Sequence, residues 1–111
     1  MFITHNLGLV AKYSEYAAVM YGGRVVESGK VGELLSNPLH PYTQGLLKAV
    51  PSIKGTTVDE LHTIPGRVPP PIEWKGCAFF DRCPHLTICK CQHVLPKAST
   101  VPHYVECEKN L

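Results

Sequence analysis

The spacing of apolar residues changes several times along the first fifty positions, and each change marks an element. Phe2-Ile3-Thr4-His5 reads as the last residues of a buried strand. Asn6 is a fair helix N-cap, and Leu7, Val10, Ala11 and Ser14 follow at helical spacing, which predicts a short helix to about Tyr16. Ala17-Ala18-Val19-Met20-Tyr21 and Arg24-Val25-Val26-Glu27-Ser28 are β-type runs joined by Gly22-Gly23. That is a hairpin signal, because both turn positions tolerate positive φ, and Gly29 ends it. Val31 to Leu35 predicts a short helix that stops before Asn37-Pro38. Pro41 suits the first turn of a further helix, Tyr42 to Ala49, with Leu46 and Leu47 on its apolar side and Pro51 closing it.

Past Pro51 the periodicity fades. Residues 52–63 read as a polar connector with one short strand or turn near Leu61. Ile64-Pro65-Gly66-Arg67-Val68-Pro69-Pro70-Pro71 reads as a stiff polyproline-type linker that separates a mixed front half from a cysteine module. The chain therefore divides into an α/β piece at 1–51, a connector at 52–75 and a Cys-rich extension at 76–111. One strand end, a hairpin and short helices do not close a core, so the chain is expected to be the C-terminal piece of a larger protein. A strand at Phe2-Ile3-Thr4 cut from its neighbours would present an unpaired edge, prone to repacking or dimerising.

Composition narrows the chemistry. With 44% hydrophobic and 18% charged residues the chain is of globular type, and a net charge of +2 is too small to argue for nucleic acid. No apolar run is long enough to enter a membrane, and Met1 to His5 lacks the pattern of a signal peptide. That points to the cytoplasm, where clustered cysteines bind metal more often than they pair. All five cysteines, Cys77, Cys83, Cys89, Cys91 and Cys107, fall in the extension, with five, five, one and fifteen residues between them. The stretch also holds Pro84, Pro96 and Pro102 and few large aliphatics, so something covalent or coordinative should hold it together. An iron–sulfur cluster, a zinc ion or disulfides would serve. The spacing is not that of two Cys-x-x-Cys pairs, which disfavours an ordinary zinc ribbon.

Several segments carry a resemblance to a known family. Phe2-Ile3-Thr4-His5-Asn6-Leu7-Gly8-Leu9-Val10-Ala11 resembles the switch-histidine segment of ABC-transporter ATP-binding subunits. Val19 to Gly29 resembles the hairpin that follows it, and Asn37 to Leu47 the His-Pro-Tyr motif of the oligopeptide/dipeptide importer branch. Ile64-Pro65-Gly66, Gly76-Cys77, Arg82-Cys83-Pro84 and Val105-Glu106-Cys107 resemble the C-terminal extension of that branch. The resemblance covers nearly the whole chain and implies a C-terminal piece of an ABC nucleotide-binding domain followed by a small, irregular metal-binding module. It also implies that His5 is the switch histidine, acting on the γ-phosphate only in the intact protein. Asn6 departs from the Asp more usual beside it. His40 and Tyr42 read as packing or capping residues rather than ligands.

The same resemblance implies a four-iron, four-sulfur (4Fe–4S) cluster on Cys77, Cys83, Cys91 or Cys89, and Cys107, with zinc as the alternative. Cys89 falls one residue short of the family spacing and Cys91 one residue beyond it; the distance onward to Pro96 favours Cys91. Arg82 and Lys75 would screen the cluster's negative charge, and Phe79, Phe80 and Trp74 would shield it or simply pack. His85, His93 and His103 are candidate ligands if the metal is zinc. The intact protein would couple hydrolysis of ATP, with Mg, to uptake of oligopeptides, dipeptides or nickel. It would do so beside transmembrane permease subunits and a second ATP-binding subunit, at the inner face of the cell membrane. The chain itself has no Gly-rich phosphate loop ending in Lys-Ser/Thr, no ABC signature and no acidic magnesium strand, so it should not hydrolyse ATP alone. Two other readings are a stand-alone zinc-binding interaction module and a secreted disulfide-stapled domain, the latter disfavoured by the N-terminus.

Overall fold

A computed structural model describes residues 1–50, 64–68, 76–85 and 103–107. Its elements are helix α1 (Leu7–Tyr13), strands β1 (Tyr16–Tyr21) and β2 (Arg24–Lys30), helices α2 (Val31–Ser36) and α3 (Pro41–Ala49), a 3-10 turn (Phe80–Arg82) and strand β3 (Tyr104–Val105). The sheet is antiparallel with order β1-β2-β3, so β2 is central and the C-terminal segment supplies an edge.

Local chemistry explains most of these elements. Asn6 is extended, and its side-chain oxygen accepts from the amides of Gly8 (2.9 Å) and Leu9 (3.2 Å), starting α1. The helix ends at Tyr13 rather than near Tyr16, because Ser14 turns extended and Tyr16 pairs with Lys30 in the ladder. Phe2 to His5 forms no strand, and Phe2 and Ile3 lie exposed with no sheet neighbour among the described residues. Gly22 (φ 57°) and Gly23 (φ 83°) occupy both positive-φ positions of a type I′ turn, as the hairpin requires. The strand then runs one residue past Gly29, to Lys30.

The ladder is irregular at Val19/Met20: Val19 faces Glu27 and Met20 faces Val25, which leaves Val26 as the extra residue of a bulge. Val26 and Glu27 are consecutive and both buried. Strict alternation would expose one of them, but the bulge and the central position of β2 cover both faces. Helix α2 stops at Asn37 ahead of Pro38. Helix α3 opens with Pro41 in its first turn, and the His40 ring accepts the Tyr42 amide through Nδ1 at 3.1 Å. His40 is thus a cap, buried in the fold. Leu46 and Leu47 line an apolar hollow with Leu7, Val10, Val19 and Val31. No helix among the described residues is long and apolar enough to cross a membrane.

The core joins the two ends of the chain. Tyr21, Val26, Ala78, Phe79 and Cys83 form one buried cluster, with Tyr42 and Ile64 packed against it. Phe79 meets the Tyr21 ring edge-on at 5.2 Å and lies 5.4 Å from Tyr42 and 5.8 Å from His40. Arg82 donates to the carbonyls of Pro65 (2.8 Å) and Ile64 (2.7 Å) and to the Tyr21 hydroxyl (3.0 Å). The proline-rich stretch therefore does not hold the cysteine segment away from the front half: residues 64–66 and 76–83 pack on the hairpin and α3. Its residues 69–71, and the turn expected near Leu61, lie outside the described residues.

If that shared core is the main source of stability, Phe79→Ala should cost about 3 kcal/mol in urea unfolding, against under about 0.5 kcal/mol for Phe2→Ala on the exposed segment. Equal effects would mean that residues 76–83 do not belong to the core.

Candidate thiol site and its carboxylate anchor

Three of the five cysteines lie among the described residues: Cys77 half-buried, Cys83 and Cys107 buried. A tight turn sets the first two. Phe80 donates its amide to the Cys77 carbonyl (3.1 Å), Arg82 to Phe79 (3.1 Å) and Cys83 to Phe80 (3.0 Å), so Cys77 and Cys83 bracket one wound segment. Cys107 lies two residues beyond β3.

Electrostatics places the three in one neighbourhood. Burial pushes the Cys77 thiol up to about 11, opposed by the Phe79 amide and reinforced by Cys107, Cys83 and Glu106. Without a bound cation this thiol stays protonated, and a divalent ion would reverse that balance. Cys83 and Cys107 are thus near enough to Cys77 to act on its charge. Among the described residues, however, no three ligating side chains already converge on one point. Cys89, Cys91, Trp74, Lys75 and His93 lie outside the described residues.

The other expected residues sit elsewhere. His5 is exposed beside the α1 cap, with no hydrogen bond or ion pair among the described residues. Arg82 donates to residues 64, 65 and 21. Phe79 is a core residue, and Phe80 is half-buried. His103, a candidate zinc ligand, binds a carboxylate.

That carboxylate is Glu27, fully buried on β2. One of its oxygens takes the Leu39 amide (2.8 Å) and the His103 Nε2 (2.6 Å), and the other takes the His40 amide (3.0 Å). These partners belong to the entry of α3 and the entry of β3. Beyond them, Val105 pairs with Glu27, the Glu106 amide donates to the Val26 carbonyl (2.8 Å), and the Glu106 carboxylate pairs with Arg24. Burial raises the Glu106 carboxyl and Arg24 lowers it. Sequence reasoning missed Glu27, Arg24 and Glu106. The available signal was indirect: the amides leading into α3 need an acceptor, and the His40 ring serves only Tyr42.

Residues 26–91 match the family described as the C-terminal region of oligopeptide/dipeptide transporters. A peptide import ATP-binding protein of Brucella ovis is 44% identical over 107 residues, covering 91% of this chain and 31% of that protein, and one of Brucella abortus gives the same figures. Another, of Brucella melitensis, is 45% identical over 84 residues, covering 75% of this chain and 25% of that protein. The chain thus spans about a third, or less, of the length of the curated relatives it matches.

His40 generates a pH dependence. Burial lowers its pKa to about 4 from 6.5, only partly offset by Glu27 and by the backbone of Glu106, which its Nε2 faces without a full hydrogen bond. The unfolded chain takes up this proton first, so the contribution is complete above pH 6.5 and is lost as pH falls toward 4. The expected loss across that window is about 3 kcal/mol, read as a falling urea midpoint. His40→Asn, which keeps a capping side chain, should flatten the slope; an unchanged slope would assign it to other groups.

Proposed function

This chain belongs to the family of the oligopeptide/dipeptide transporter C-terminal region, and we propose that it works as the C-terminal part of the ATP-binding subunit of a peptide importer. The observation that carries this is the match across residues 26–91, which runs from β2 through α3 and the Cys77–Cys83 turn. The names of the relatives support the same reading. On it, the whole protein couples ATP hydrolysis to uptake of oligopeptides or dipeptides, working with membrane permease subunits and a second ATP-binding subunit at the cytoplasmic face.

His5 would act there as the switch histidine once the nucleotide-binding elements stand beside it. Within these 111 residues there is no phosphate loop to grip ATP, so the chain alone neither binds nor hydrolyses it. The C-terminal extension is the part with its own chemistry. Cys77, Cys83 and Cys107, with Cys91 or Cys89 as fourth ligand, would hold a 4Fe–4S cluster, or zinc in its place. When bound, such a group supplies a closed set of thiolate bonds that staples the extension rather than an open position for substrate. On this reading the Cys77–Cys83 segment and the tail beyond β3 would supply the ligands, and Phe79 seats the turn in the core.

Two measurements test this. The purified chain should show no ATP turnover above background; hydrolysis that survives further purification would overturn the division of labour. Anaerobically prepared protein should contain iron and sulfide with visible absorption, or zinc without colour, and Cys107→Ser should reduce occupancy several-fold. Metal-free protein with five titratable thiols after anaerobic reconstitution would remove the staple.

A further inference from the structure

The sheet leaves one long strand open on its outer side. Strand β1 has a single neighbour among the described residues, because β2 is central and β3 lies beyond it. Alternate residues of an antiparallel strand turn their amide and carbonyl toward the partner. Tyr21 closes on Arg24 across the two-glycine turn, and the Glu15 carbonyl accepts the Val31 amide at 2.9 Å. Glu15, Ala17, Val19 and Tyr21 therefore bond inward, and Tyr16, Ala18 and Met20 aim their backbone groups away from β2. The same three residues carry exposed side chains, Tyr16 at 59% and Met20 at 55%. Edge strands are normally guarded by a charge, a proline, a bulge or short length. Strand β3 is guarded by its length of two residues. Strand β1 runs for six residues with no charge and no proline, and the bulge lies on β2 instead.

We propose that the outer edge of β1 is a pairing surface for β1 of a second copy of this chain. An antiparallel pair about a two-fold axis through Ala18 sets Ala18 opposite its own counterpart and Tyr16 opposite Met20. All three are positions whose backbone groups point outward, so each pair exchanges its hydrogen bonds and the two sheets become one. On the exposed face each Tyr16 ring meets a Met20 thioether, a favourable contact of sulfur with an aromatic edge. The strand's own composition selects this occupant: no charge is buried or repelled when it meets itself, and the small Ala18 side chains leave the axis unobstructed. The exposed Phe2-Ile3 segment of another copy is the competing occupant, but it forms no strand and offers no such two-fold match. A contact one strand wide belongs with weak, concentration-dependent associations. The pairing uses no cysteine and is independent of any metal.

The test follows the purified chain, in reductant, by sedimentation velocity and amide hydrogen exchange at about 10 μM and about 1 mM. The expected result is a shift from monomer toward dimer. Exchange at Tyr16, Ala18 and Met20 should slow about tenfold, against less than about twofold at Ala17 and Val19, which already bond to β2. Ala18→Lys and Ala18→Glu each set like charges directly opposite and should weaken the dimer about fivefold; mixing the two variants should restore it. Ala18 is exposed, so both variants should keep the circular dichroism of the natural monomer. Phe2→Ser combined with Ile3→Ser should leave the dimer intact. A monomer at both concentrations overturns the proposal. So does a dimer whose Tyr16, Ala18 and Met20 amides exchange as fast as in the monomer, because it then uses another surface. A dimer lost in Phe2→Ser/Ile3→Ser but kept in Ala18→Lys assigns the contact to the N-terminal segment and overturns the pairing. Lys and Glu variants that stay apart when mixed overturn the two-fold register at Ala18.

Discussion

A carboxylate removed from water must find its hydrogen-bond partners inside the fold, and Glu27 finds three. An unpartnered charge at that depth would cost several kcal/mol. Two backbone amides and an imidazole supply the solvation that water no longer can. The arrangement requires α3 to begin where it does and requires the C-terminal strand to lie along β2. The bulge at Val26 is what turns this carboxylate inward beside an apolar neighbour that is also buried.

Around that anchor the apolar contacts do the rest. Tyr21 from the hairpin, Tyr42 and His40 from α3, and Phe79 from the cysteine turn meet as interlocked rings. Arg82 adds a clasp from the same turn onto the Ile64 and Pro65 carbonyls. Gly66 sits beneath its side chain in a left-handed conformation (φ 96°), where a Cβ would come within 3.1 Å of the arginine stem. A small extension poor in aliphatic residues thus gains order by leaning on its neighbour, whatever its sulfurs hold.

The elements legible in the sequence were those set by adjacent residues. Gly22-Gly23 specified its own turn, Asn6 its own cap, and Pro41 the first turn of its helix. Tyr16 could not be placed from its neighbours, because its conformation is decided by Lys30 across the ladder. Phe2 to His5 carry a strand pattern, yet a strand needs partners, and the described residues offer none. Cys83 follows Arg82 directly, but the carbonyls that Arg82 binds stand 17 and 18 positions away and could not be read from that neighbour. Glu27 was a single acidic position in an ordinary strand, and its partners Leu39 and His103 stand 12 and 76 positions away. The family, by contrast, was readable from the order of its motifs, since that order is a property of the chain and not of its packing.

The three-stranded sheet also implies an order of assembly. Its first pairing closes across two glycines, whereas its second closes a loop of more than seventy residues. The longer closure is worse by about 2–3 kcal/mol of chain entropy and is secured by a strand only two residues long. The hairpin can therefore zip on the microsecond scale, while the tail waits for its distant groove to exist. During synthesis or refolding this molecule passes through a stage in which a finished ribbon is still searching for its last strand.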